Sequence, residues 1–178
     1  RLVGDVGAHV HRVAHAVAIA IVVAEVAEAV FVEVVLIGVH HVDAQVVAVE
    51  HAMGMDAQMS YKAFPACVYT TPECASVGLT EEQARERYKE VRVGKFGFGH
   101  NGKAMGIGET EGFVKFISDP RYGEILGVHI VGPHATDLIA EAVLAMRNEL
   151  TIDEVVAAIH PHPTLSEVVQ EAAYDVQG

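Results

Sequence analysis

Near the C-terminus, two imidazoles and a carboxylate stand within one octapeptide, His160-Pro161-His162-Pro163-Thr164-Leu165-Ser166-Glu167. Proline fixes its own φ and pushes the preceding residue toward extended geometry. Both histidines precede a proline, so the sequence holds them on a stiff extended loop rather than inside a helix. Three readings fit this grouping. Thr164 and Glu167 have the spacing of a capping box, which leaves the histidines without a role. His160 and His162 could ligate a metal, although alternate residues of an extended chain point to opposite sides. Alternatively, Glu167 on the first turn of a following helix reaches back to His162 to form a general acid–base pair. A carboxylate against one ring nitrogen fixes the tautomer and favours the protonated imidazole, and the other nitrogen then exchanges a proton with substrate.

Elsewhere the reactive residue types group less well. Cys67 and Cys74, the two cysteines, have six residues between them. That spacing suits neither a C-x-x-C redox pair nor half a zinc site, and reduced thiols in an intracellular protein are expected. His9, His11 and His15 have a spacing that could hold a metal, but no cysteine or carboxylate pair completes the set. Gly106-Ile107-Gly108 invites a dinucleotide reading, which fails: the third glycine falls at Gly112, one position late, and a strand rather than a helix follows.

The elements that must position the octapeptide are legible from about Val46 onward. Val47 to Met53 reads as a helix end stopped by Gly54, and residues 56–62 as a polar linker. Strands are expected over 65–70, 75–78 and 91–98, with a helix between the last two opened by a Thr80/Gln83 capping box. A Gly- and Asn-rich loop covers 99–111. The clearest hairpin joins strands 112–117 and 125–131 through Asp119-Pro120-Arg121-Tyr122-Gly123. Thr136 or Asp137 caps a helix with Leu138, Ile139, Ala142, Val143 and Met146 on one face. Thr151 caps the next, with Ile152, Val155, Val156 and Ile159 inward, and a last helix runs from about Leu165 to Ala173. Hairpin-linked strands followed by three helices predict an α+β fold, an antiparallel sheet with helices on one face.

Residues 1–44 differ in kind. They contain no Ser, Thr, Asn, Lys or Pro, so turn and cap signals are lacking. Glu25, Glu28 and Glu33 interrupt the apolar run 16–38, and a carboxylate at bilayer depth costs about 3 kcal/mol, which argues against a membrane span. Ala27-Glu28-Ala29 is only a weak cleavage site for a leader. The net charge of −12 and the absence of a Lys/Arg cluster exclude nucleic acid and anionic membrane as partners. The chain starts at Arg1 and reads as a fragment.

The octapeptide resembles the C-terminal signature of the dihydrolipoamide dehydrogenase branch of the flavin disulfide reductase family. Pro65 to Glu73, Ala75 to Gly78, Val93 to Phe96, Gly112 to Lys115, Leu126 to Pro133 and Leu138 to Glu141 resemble that branch in the same order, over about residues 46–178. Glutathione reductases have a distinguishable ending, with one histidine and Thr-Ser-Ser-Glu.

The resemblance implies an interface domain over 61–178 that forms a homodimer, preceded by a helix end and linker over 45–60. Residues 1–44 remain unassigned, either a remnant of an FAD domain or foreign sequence. His162 would exchange a proton with the partner subunit's active-site dithiol and Glu167 would orient it. The backbone at His162 and Pro163 would contact the partner's flavin, with His160 structural. FAD and NAD are the implied cofactors, the lipoyl group the substrate, and the acyltransferase core of a 2-oxo acid dehydrogenase complex the partner, in the cytoplasm. Gly4-Asp5-Val6 resembles the Gly-Asp that positions the flavin's ribityl chain, and His15 stands near a family Leu-Ala-His. The family spans the distance to the 47–53 helix end in far fewer residues, however. The family's C-x4-C pair and both nucleotide fingerprints are missing, so the chain alone is expected to be inactive. A stand-alone dimerisation or docking module, with His162 a relic, is the alternative.

Overall fold

The computed structural model describes residues 46, 47, 49–56 and 61–178. Asp5, the histidines of the first segment and the 1–44 region therefore lie outside the described residues. The chain divides into two compact units, Arg1–Met59 and Ser60–Gly178. In the first, residues 49–52 are helical and Gly54, at φ 84°, follows the last turn. The amide of Met53 closes on the carbonyl of Val49 at 2.9 Å.

The second unit is built on a five-stranded antiparallel sheet in the order β1-β2-β5-β4-β3. The strands are β1 (Pro65–Val68), β2 (Glu73–Gly78), β3 (Arg92–Gly97), β4 (Phe113–Ser118) and β5 (Ile125–Gly132). The helices are α1 (Glu81–Arg87), α2 (Gly102–Ile107), α3 (Ala135–Arg147), α4 (Ile152–Ala157) and α5 (Glu167–Gln177). This is the α+β architecture expected from the order of the elements.

Strand alternation sorts the side chains into two layers. Val77, Val114, Phe116, Val128 and Ile130 form one face, packed with Ile139, Ala142, Val168, Val169 and Ala172 of α3 and α5. The other face holds a smaller cluster of Ile117, Leu126 and Ala84. The short helix α1 thus covers the face opposite the three later helices, a departure from the one-sided arrangement expected. Its capping box is as read: Gln83 N–H donates to Thr80 Oγ1 at 3.2 Å, and Gln83 Oε1 accepts from Thr80 N–H at 3.1 Å. The β4–β5 register slips between Ile117 and Ser118, which pair with Gly127 and Ile125. Leu126 is the extra residue of this bulge, so it joins the smaller cluster while Ile125 faces the larger one.

Helix α5, which carries Glu167, lies directly on β3. A Cβ at Gly94 would stand 2.4 Å from the carbonyl oxygen of Ala172 and 2.4 Å from the amide of Val176. Only glycine permits that approach.

Four local expectations need correction. The 99–111 loop contains a 3-10 turn, Phe98–His100, and helix α2, because Asn101 caps the helix by accepting from Ala104 N–H at 2.9 Å. Helix α3 is not capped by Thr136 or Asp137. Its N-cap is His134, in the left-handed region at φ 54°, and Glu73 of β2 accepts from Thr136 N–H at 2.9 Å and Oγ1–H at 2.7 Å. A carboxylate from across the sheet replaces the local cap and suits the positive helix end. Ile159 is 97% exposed rather than inward: α4 stops at Ala157, and Ala158 turns extended at ψ 133°. Helix α5 begins at Glu167, two residues later than read, and continues to Gln177.

Candidate active site

The octapeptide forms the connection between α4 and α5. Its geometry follows from where its two ends are tied. At the first end, the His160 side chain is 6% exposed. One ring nitrogen, Nε2, lies 2.8 Å from Glu141 Oε1 on α3, and Nδ1 lies 3.1 Å from the carbonyl of Ala158. Gln170 of α5 donates to that same carbonyl at 2.7 Å and to Val156 O at 3.1 Å, which satisfies the C-terminal carbonyls of α4.

At the other end, Glu167 occupies the first turn of α5 and folds back over the loop. Its Oε2 accepts from Thr164 N–H at 2.8 Å, and its Oε1 lies 2.8 Å from His162 Nδ1. Half of the Thr164/Glu167 capping box therefore exists. The other half does not, because Thr164 Oγ1 donates to Pro161 O at 2.7 Å and meets Ser166 Oγ at 2.8 Å. The backbone amide of Thr164, then the His162 ring, hold the Glu167 carboxyl below its ordinary value. An ionised carboxylate only accepts, so Nδ1 of His162 is the donor. Neutral His162 then carries its lone pair on Nε2.

The His162 side chain is 80% exposed while Glu167 is 22% exposed. The orienting group is thus sheltered and the ring it orients faces outward. The His162–Pro163 peptide is cis. His160 and His162 have separate carboxylate partners, and among the described residues no group of three or more metal-binding side chains is assembled.

The two cysteines do not form a dithiol. Cys67 pairs across the sheet with Ala75, and Cys74 with Val68, so they are one step out of register and point to opposite faces. Both thiols are free, and burial, then the charge of Glu73, pushes the Cys67 thiol up, away from the reactive thiolate. Asn101, Glu141 and Gln170, all of which support the loop, were not singled out as site residues from sequence. Only Asn101 has a local signal, an amide immediately before a short helix.

Residues 64–173 match the pyridine nucleotide-disulphide oxidoreductase dimerisation domain. The chain belongs to this family. It is 48% identical over 134 residues to a dihydrolipoyl dehydrogenase of Bacillus subtilis, covering 75% of this chain and 28% of that protein. It is 44% identical over 144 residues to one of Corynebacterium glutamicum, covering 78% and 31%. Among solved structures it is similar to LpdA from Mycobacterium tuberculosis, with a TM-score of 0.66 and 28% identity over 71% of this chain and 28% of that one. The HOCl-induced flavoprotein disulfide reductase RclA from Escherichia coli gives a TM-score of 0.70 and 25% identity over 74% and 31%. The chain thus spans less than a third of the length of these relatives. Residues 64–173 are thus a dimerisation domain of the pyridine nucleotide-disulphide oxidoreductase family, similar to that part of dihydrolipoyl dehydrogenases.

Proposed function

We propose that this domain supplies His162 as the acid–base group, and Glu167 as its orienting carboxylate, for NAD-linked oxidation of dihydrolipoamide in the partner subunit's site. The observation that carries this reading is the double engagement of Glu167, which bridges Thr164 N–H and His162 Nδ1 while the His162 side chain stays 80% exposed. In this reading, Nε2 accepts the thiol proton as the dithiol is oxidised and returns it in the reverse direction.

The described residues fit an edge contact with a flavin, since His162 and Pro163 are exposed on a tied-down loop. Gly106-Ile107-Gly108 does not fit the phosphates of FAD or NAD, because Gly108 closes helix α2 at φ 79° instead of opening a helix toward an anion. When bound on the partner subunit, the flavin would take the electron pair from the dithiol and pass it to NAD. Asp5, outside the described residues, is the remaining candidate contact to the ribityl chain. The same proposal places a homodimer in the cytoplasm, serving lipoyl groups carried by the acyltransferase of a 2-oxo acid dehydrogenase complex. Two free thiols suit that reducing compartment.

The test is His162→Gln in a full-length flavoenzyme containing this domain. A fall in kcat/KM for dihydrolipoamide of about 10²–10⁴ is expected from loss of an acid–base group. A loss below about threefold would sink the reading, since acid–base groups contribute far more.

A further inference from the structure

We infer that Asn101 is a positioning residue for His162, acting through the carbonyl of Thr164; this rests on the acid–base reading above. Asn101 is 5% exposed, a polar side chain inside the domain. Both ends of its amide are used. Oδ1 accepts from Ala104 N–H at 2.9 Å, and Nδ2 donates to Thr164 O at 2.9 Å across 63 residues of sequence. The first bond holds Asn101 to α2. The backbone N–H of Asn101 also donates to the carbonyl of Phe98, whose ring is fully buried, so the anchor is firmly seated.

Thr164 is where this anchor meets the catalytic pair. Its N–H holds Glu167, its hydroxyl holds Pro161 O, and its carbonyl is held by Asn101. His162 sits between this clamp and the His160–Glu141 link. Releasing the Thr164 carbonyl lets the residue that fixes Glu167 turn, and the His162–Glu167 contact turns with it. An amide suits the position: an aspartate would set oxygen against the carbonyl oxygen, and a serine is too short to serve both partners. Asp and Ser both retain a good N-cap acceptor for α2, so they cut the loop contact while leaving the helix start.

The experiment places Asn101→Asp and Asn101→Ser in a full-length flavoenzyme containing this domain, with and without His162→Gln. Each Asn101 variant should lower kcat/KM for dihydrolipoamide by about tenfold or more, the scale of a misplaced reacting group. Reduction of ferricyanide by NADH, which needs no proton exchange at a dithiol, should stay within about twofold. In the His162→Gln background the same substitutions should cost less than about threefold, because a misplaced loop no longer matters once the ring is gone. Equal losses in both backgrounds, or loss of the fold in both variants, would reduce Asn101 to a structural role and overturn the inference. A full effect of His162→Gln with none from Asn101 overturns the inference alone. No effect from His162→Gln overturns the reading beneath it as well.

Discussion

The Nδ1 atom of His162 lies 2.8 Å from Oε1 of Glu167, five residues on and at the first turn of helix α5. The second oxygen of that carboxylate is occupied by the amide of Thr164. One carboxylate at a helix start therefore both ties the loop backbone and fixes which ring nitrogen of His162 donates.

Glu167→Gln should separate these two tasks. A glutamine oxygen can still accept from Thr164 N–H, so the loop end is retained. Its amide NH2 would face His162 Nδ1 and force the other tautomer, with the proton on Nε2. We expect kcat/KM with dihydrolipoamide to fall by about 10–100-fold in the full-length enzyme, as for other carboxylates that orient an imidazole. An unchanged rate would mean that Glu167 only caps.

Acid should weaken the same link in a defined window. The Glu167 carboxyl is held below its ordinary 4.5 by Thr164 N–H and then His162. A depressed acid stabilises the fold above its ordinary value, and the contribution is lost as pH falls from 4.5 through the folded-state value. The melting temperature of the native chain minus that of Glu167→Gln should therefore be steady near neutral pH and shrink below 4.5. A difference that grows on acidification would contradict the assignment.

Gly94→Ala tests the seating of α5 on the sheet. Its methyl group would meet the backbone of Ala172 and Val176, which cannot rotate away. The expected loss is about 1–3 kcal/mol by urea unfolding, the usual cost of overpacking. A loss within error would show that α5 yields, and that Glu167 is less firmly based than the packing indicates.

Membership of a dimerisation-domain family predicts self-association. Leu144, Ile159 and Tyr174 stay exposed on α3, on the α4–α5 connection and on α5. The chain should sediment as a dimer at about tens of micromolar, and a monomer at that concentration would oppose the homodimer reading.

Much of the fold was legible because its signals are local. The Thr80/Gln83 box forms, and Thr151 caps its helix as expected, with Glu154 three residues on completing a box there. The Asp119–Gly123 turn closes with Tyr122 N–H donating to Asp119 Oδ2 at 2.8 Å, as turn chemistry predicts. The misread places differ in cause. The α3 start depends on Glu73, 63 residues away. Ile159 faces inward only on a longer helix α4, and the chain leaves the helix at Ala158. In the 99–111 stretch, glycines masked a helix whose cap and buried neighbour, Asn101 and Phe98, supply its order.

For the site, the amino-acid sequence by itself determined the residue types, the proline-stiffened loop and the five-residue spacing from His162 to Glu167. The resemblance gave His162 the proton exchange and left His160 structural, but the residue types alone do not show why two histidines of a His-Pro repeat should differ. Tertiary packing gives them different surroundings. Glu141, on a helix 19 residues earlier, draws His160 inward, whereas the carboxylate that meets His162 leaves its ring in the open. Burial and partner geometry are properties of neighbours in space, and only the folded chain brings Glu141 and Asn101 to this loop.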